Sequence, residues 1–533
     1  MLIQTSCVEK RKADLIIHNA RIYTVNGGFE IAEAMAVHNG TIMAVGSDAG
    51  ILEGYETENI RDLGGKTVLP GFIDAHCHFT GYATDMWKCD LVGTLSFEEV
   101  LERVMVYSKE APMKWIYGRG WDQNDWDSKE YPDNMALNRF FPDRPVFLKR
   151  IDGHAAIVNQ VALDMAGITA STTVKGGKVE VRGGRLTGLL LDNAMDLVDN
   201  IVPLIPDSLA AFYYGKAQEK CFSLGLTQVQ DCGISERTAN LVDSEQKEGR
   251  LKMKVFALLS DDSSYYERWI EKGVYRTDRL TIGGFKLYAD GALGSRGACL
   301  LKPYSDKEGW HGFMLRDRRY LENVVRKLAD TEFQVCTHAI GDSANREMLH
   351  IYGGVLGGKN EKRWRIEHAQ VVNEDDFGLF AKYDIIPSVQ PTHATSDMYW
   401  AEDRLGSERI KGAYAYQKLL KTRGIMPLGT DFPVEDLSPI RTFYAATTRR
   451  DDKWFPKEGF YPDQALTREQ ALKGITIWAS YSIFEEKKKG SLEKGKAADF
   501  VVLDQDIMMC DEKEILKTQV LTTYLDGEAV FLR

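Results

Sequence analysis

The sequence predicts an α/β protein: a (β/α)8, or TIM, barrel carrying a small β-sandwich domain built from both termini. Three observations lead there. Eight strand-like apolar runs alternate with amphipathic helical stretches through the middle of the chain, the pattern of a parallel sheet closed on itself. Both ends are instead dense in short β runs and turn dipeptides. The side chains with the most chemistry stand at the C-terminal ends of the central runs, where a barrel of this kind collects its active site.

Taken in order, the first β-rich end holds Ala13-Asp14-Leu15-Ile16-Ile17, Arg21-Ile22-Tyr23-Thr24-Val25, Ala34-Met35-Ala36-Val37 and Thr41-Ile42-Met43-Ala44-Val45-Gly46, with Asn26-Gly27-Gly28 and Asn39-Gly40 as turns. Its C-terminal counterpart is Phe500-Val501-Val502-Leu503, 520–524 and Ala529-Val530-Phe531, with the turn Asp526-Gly527. Residues 1–69 plus 487–533 are therefore expected to form one composite domain, and 70–486 the barrel. The barrel runs are 67–73, 226–230, 254–259, 281–287, 333–337, 364–367, 385–389 and 425–428. Helices are expected between most of them, for example at 319–330 and 377–383. The gap between the first two runs is too long for one crossover, so an insertion is expected at about 96–204. Thr467 and Gln470 form a capping-box pattern ahead of a helix at 471–478. The charged run 485–490 reads as a solvated boundary.

A chain of 533 residues with 44% hydrophobic content can bury a large core. Its formal charge of −11 disfavours nucleic acid and anionic membrane surfaces as partners. The eight cysteines include no CxxC pair and read as buried thiols. No apolar stretch is long enough for a membrane span. Met1-Leu2-Ile3-Gln4-Thr5-Ser6-Cys7 resembles the tail of a bacterial lipoprotein signal, but the charged n-region and most of the apolar h-region are missing. A cytoplasmic protein is expected. The alternative is a periplasmic or outer-membrane lipoprotein anchored at Cys7, with its true start upstream. Oligomeric state stays open, a homo-oligomer included.

The central motif is Phe72-Ile73-Asp74-Ala75-His76-Cys77-His78. Side chains alternate along a strand, so His76 and His78 share a face, and paired neutral imidazoles commonly begin a zinc site. Four further candidates end their own runs: Lys286, His338, His368 and Asp431. Four His, one Asp and one Lys suit two metals better than one. A buried lysine shifts toward neutrality and can add carbon dioxide, giving a carbamate that bridges two cations. The bland alternative is that Lys286 pairs with Asp290 or Asp431.

The chain resembles the amidohydrolase superfamily, in the branch that contains N-substituted formamide deformylase. The resemblance rests on Pro70-Gly71-Phe72-Ile73-Asp74-Ala75-His76-Cys77-His78, residues 285–297, residues 365–370, Thr430-Asp431 and Gly490-Ser491-Leu492 with Gly495-Lys496-Ala497-Ala498-Asp499. It implies a metal-dependent hydrolase with His76 and His78 on one metal, His338 and His368 on the second, and carbamylated Lys286 as the bridge. Asp431 would bind the first metal and carry protons. Two zinc ions are expected, with Mn, Fe or Co as alternatives. A metal-activated hydroxide would then attack a small-molecule amide, carbamate or formamide. His154, Arg296 and His393 also fall in motifs similar to the family's and are candidates to orient substrate or stabilise the oxyanion. Trp121, with Trp115, Trp126 and Trp400, hints at an aromatic or apolar substituent. The competing functions are a mononuclear deaminase, which lacks the lysine bridge and carries a Glu beyond the fifth-run His, and a non-catalytic scaffold relative, which usually loses ligands.

Overall fold

The computed structural model describes residues 10–111 and 114–533; Cys7 lies outside them. Seven parallel strands follow one another in chain order around the barrel: Phe72–Cys77, Leu226–Ile234, Lys254–Ser260, Leu280–Tyr288, Gln334–Ala339, Arg365–His368 and Ile386–Ser388. The eighth run, expected at 425–428, closes the ring without becoming a regular strand. Leu428 makes a parallel bridge to Val389, and Ala75 N–H donates to Leu428 O at 3.2 Å. Pro427 has no N–H to give a ladder, which keeps this segment irregular.

Residues 67–69 do not open the barrel as expected. They belong to Ile60–Pro70, the middle strand of a second sheet. That sheet runs Glu528–Leu532, Val520–Leu525, Phe500–Leu503, Ile60–Pro70, Leu15–Tyr23, Ala34–His38, Thr41–Gly46, so strands from the two ends pair directly. Phe500 pairs with Pro70 in antiparallel register. The turns that read as hairpins are hairpins: Asn39 and Gly40 have φ of 48° and 70°, Asp526 and Gly527 of 49° and 74°, as tight two-residue loops between twisted strands demand.

The segment between the first two barrel strands forms its own six-stranded sheet, from Cys89–Asp90 to Arg185–Asp192. It has separate apolar cores on its two faces, one around Trp121 and Leu148, the other around Phe147 and Leu190. The capping box forms as read, with Thr467 starting the helix Arg468–Gly474; a second short helix, Ile477–Tyr481, follows where one continuous helix was expected. The seven described cysteines are unpaired. Among the described residues no helix is long and apolar enough to cross a membrane.

Candidate metal centre

Five of the expected ligands sit where barrel strands end, and Asp431 follows the irregular segment that closes the ring. His76 is the fifth residue of its strand and His78 follows the last. Lys286 and His338 lie near the ends of neighbouring strands, where Lys286 pairs in register with Cys336 and Ala339 with His368. Asp431 lies three residues past the closing bridge at Leu428. His368 and Asp431 have φ of 73° and 63°. Such left-handed backbone in non-glycine residues persists only when the surroundings hold it, and it concentrates at functional sites.

The side chains converge. Asp431 Oδ1 is 3.5 Å from His76 Nε2 and 3.2 Å from His78 Nε2. Asp431 Oδ2 is 4.0 Å from His368 Nδ1. His368 stacks edgewise on His338 with ring centroids 4.6 Å apart. Lys286 Nζ lies 3.2 Å from His76 Nε2. Among the described residues Lys286 makes no ion pair with a carboxylate, neither Asp290 nor Asp431, so the bland pairing is absent.

Two polar atoms of this cluster are buried without a hydrogen-bond partner, His338 Nε2 and His368 Nδ1. Buried polar atoms are ordinarily satisfied. Burial pushes His338 and His368 well below the usual histidine range. Burial and the nearby Lys286 push His76 down to about 4. The imidazoles are therefore neutral and present lone pairs, the state in which histidine binds metal. Burial works against an ionised Asp431, yet hydrogen bonds with His393 and His78 outweigh it and hold the carboxyl well below its ordinary range. Neutral imidazoles with free lone pairs around a carboxylate fit a divalent cation. Ligand atoms of His76, His368 and Asp431 all lie within 4.8 Å of one another.

Some supporting residues have no counterpart in the sequence reading. Glu367 accepts from His76 Nδ1 at 2.6 Å, with both side chains fully buried. That contact fixes the tautomer and turns Nε2 toward the cluster. Arg365 Nε, at 2.8 Å from Glu367 Oε1, keeps the acid charged; burial opposes this, but Arg365 and His76 lower Glu367 strongly. Asp74 ties the first strand to the closing segment, accepting from Thr430 N–H at 3.1 Å and its hydroxyl at 2.6 Å. Asp290 accepts three backbone N–H groups, from Cys299, Ile340 and Gly341. Charged residues two apart on a buried strand, Asp74 with His76 and Arg365 with Glu367, were the available signal.

A cavity of about 570 Å³ opens over the cluster. His154 from the insertion and His393 from the short helix Pro391–Asp397 after the seventh strand both line it. His393 Nε2 is 3.1 Å from Asp431 Oδ2 and its Nδ1 is 3.2 Å from Glu435. Arg296 is not on the cavity wall; its guanidinium is turned to Asp306 at 2.9 and 3.2 Å. Trp121 is fully buried in the insertion core, its indole N–H on Leu148 O at 2.8 Å, and Trp115 and Trp126 are buried too. Of the tryptophans singled out, Trp400 lines the cavity. Much of the remaining wall is charged, including Arg150 held between Asp122 and Asp152.

The sequence pattern of the amidohydrolase family matches residues 59–531. The chain is 32% identical to Protein LONG AFTER FAR-RED 3 of Arabidopsis thaliana, over 97% of this chain and 92% of that one. It is 27% identical to N-substituted formamide deformylase of Arthrobacter pascens, over 96% of this chain and 97% of that one. Among solved structures, an uncharacterized metal-dependent hydrolase from Pyrococcus horikoshii OT3 superposes with a TM-score of 0.76 at 28% identity, covering 93% of this chain and 99% of that one.

Proposed function

The chain belongs to the amidohydrolase family, and from that premise we propose that it hydrolyses the C–N bond of a small amide or formamide at a centre of two divalent metals. The observation that carries this is the pair of buried, unpartnered imidazole nitrogens His338 Nε2 and His368 Nδ1, gathered with His76 and the Asp431 carboxylate at the mouth of the barrel. His76 and His78 would hold one ion with Asp431, and His338 and His368 the other. Lys286, as its carbamate, would join the two sets. Zinc suits this nitrogen and oxygen donor set, which Mn, Fe or Co can also occupy. The formamide end of the class follows the relative named for deformylating N-substituted formamides.

A bound divalent ion supplies a Lewis acid for the carbonyl and a water acidified toward neutral pH. The rest falls to the protein. Asp431 takes the proton of the attacking water and returns it to the leaving nitrogen, as a general base turned acid. His393, bonded to Asp431 Oδ2, holds that carboxylate in place. His154, across the cavity, meets the carbonyl oxygen. Arg296 and Trp121 act at a distance, through the loop and the core they support. We divide the chain in keeping with its sheets: residues 1–69 plus 487–533 as a sandwich-like support, 70–486 as the catalytic barrel, and the insertion at about 96–204 as a wall of the cavity.

The test measures bound metal and turnover on a panel of N-substituted formamides and small amides. Chelation should abolish turnover and zinc should restore it. Asp431→Asn should keep most of the metal and lose about 10²–10⁴-fold in turnover, whereas His76→Ala should lose metal and turnover together. Near-parental turnover in Asp431→Asn would sink the proton path.

A further inference from the structure

The proposed chemistry uses His154 but gives Asp192 no task, and Asp192 is built into the molecule at some expense. It ends the insertion strand Arg185–Asp192 with φ of 48°, a left-handed conformation uncommon outside glycine though enriched in Asp and Asn. Its carboxylate is buried. Oδ1 accepts from His154 Nδ1 at 2.7 Å, while Oδ2 is buried without a partner. The two backbones are tied as well, Asp192 N–H donating to His154 O at 3.0 Å.

The barrel leaves room for this group. A Cβ on Gly291 would lie 2.7 Å from Asp192 Oδ1, and one on Gly297 would lie 2.8 Å from Oδ2. Both distances are closer than a real Cβ tolerates, so glycine at these two positions admits the carboxylate. Gly291 and Gly297 belong to the loop that leaves the Lys286 strand. An acid from the insertion is thus seated in a barrel loop, and the ring it holds lies 5.1 Å, centroid to centroid, from His338.

We propose that Asp192 is the positioning residue of His154. By accepting the hydrogen bond from Nδ1–H it sets the ring's plane, keeps the proton on Nδ1 and turns the Nε2 edge to the cavity, where the protonated ring can donate Nε2–H to the carbonyl oxygen of a bound substrate. The seating in the glycine cradle couples the insertion to the catalytic barrel. The choice of a carbonyl substrate rests on the hydrolase function proposed above; the orientation of the ring does not.

Two measurements keep these apart. In the zinc-loaded protein labelled with ¹⁵N-histidine, with His154→Gln to assign the signal, the His154 ring should carry a proton on Nδ1 whether or not Nε2 is protonated as well. In Asp192→Asn, which tolerates the same backbone, that signature should be lost or averaged. On any formamide or amide the parent hydrolyses, kcat should fall about 10–100-fold, the usual effect of removing such an outer partner, with zinc content unchanged. Gly297→Ala, which crowds Oδ2 from the barrel side, should move the same ring signal. An Asp192→Asn protein with the parental ring signal and kcat would overturn the proposal. If the parent hydrolyses nothing in the panel, the ring signal decides alone: a parental proton on Nε2 instead of Nδ1 would overturn it.

Discussion

Lys254 opens one barrel strand and Lys286 stands near the C-terminal end of the next, so their ammonium groups lie toward opposite ends of the barrel. Both are almost fully buried, at 3% and 1% exposure. Lys254 Nζ meets three carboxylate oxygens, Asp499 Oδ2 at 2.7 Å, Asp499 Oδ1 at 2.9 Å and Asp526 Oδ1 at 2.6 Å. Asp499 precedes the terminal-sheet strand Phe500–Leu503, and Asp526 sits in that sheet's last hairpin, so the trio fastens sheet to barrel. Lys286 meets an imidazole nitrogen instead. A buried cation with carboxylates around it is complete, whereas one without them calls for a change of its own charge or for an added group. The first is architecture. The second belongs to the metal centre proposed above.

Exchanging each lysine for methionine should separate the two roles, with the largest effects in the molecule. Lys286→Met should cut turnover at least about 10²-fold, the low end for removing one electrostatic group from a site, and leave the stability of the metal-free protein within about 1 kcal/mol. Lys254→Met should do the reverse. It removes the ion-pair partner of buried Asp499, which keeps only the Asp526 N–H and the nearby Lys489 charge, a loss of up to about 3–5 kcal/mol, while the folded fraction keeps its metal and turnover. Denaturant curves and turnover on the two proteins check both. The contrast breaks if Lys286→Met is the variant that unfolds.

A smaller effect sharpens the upper site. Glu367 is the fully buried acid that could have neutralised Lys286, and it is committed to His76 Nδ1 instead. Glu367→Gln should weaken zinc binding about 10–100-fold, as loss of the partner behind a ligating histidine typically does. Competition against a zinc-binding dye measures this without any substrate. Parental affinity would mean that His76 holds its tautomer unaided.

The candidate ligands were legible because each ends an apolar run in a chain whose strands follow one another around a ring. Strand order then brings His76, Lys286, His338, His368 and Asp431 to one mouth. Partners across the ring were not legible. Glu367 reaches His76 from a strand almost 300 positions away, and nothing local to Glu-His says which side chain the Glu faces. Composition misled for the tryptophans: Trp121 and Trp400 look alike as letters, yet one fills the insertion core and the other lines the cavity. Arg296 lies in a motif of the right loop, but its guanidinium is taken by Asp306, a pairing set by side-chain direction. The domain boundary expected between residues 69 and 70 falls at the end of the terminal-sheet strand Ile60–Pro70, but the first barrel run, expected from 67, begins at Phe72, because one apolar run serves two sheets and changes partners at Pro70 and Gly71.

The gentlest test of the comparison is acid. Burial opposes the charge of Asp499, but Lys254 outweighs it and holds the carboxyl below its ordinary value of 3.8. A group whose folded pKa is depressed stabilises above its unfolded value, and that contribution is lost as pH falls through the folded one. Burial likewise lowers Lys254, yet Asp499 and Asp526 raise it above 10.5, so its share is complete below that value and is lost only as pH rises through the raised one. Between these limits the trio should be flat with pH. In Lys254→Met the burial of Asp499 is opposed only by Lys489 and by the Asp526 N–H, so its folded pKa rises above its parental position and protonation costs the variant less than it costs the parent. The stability gap between the two proteins should therefore narrow as pH falls, by about 1–2 kcal/mol from about pH 7 to about pH 3. Denaturant midpoints at four or five pH values measure it. A gap that stays constant through that range would mean Lys254 stabilises by packing its methylenes, and the charge that sets it apart from Lys286 would have no part in holding the sheet to the barrel.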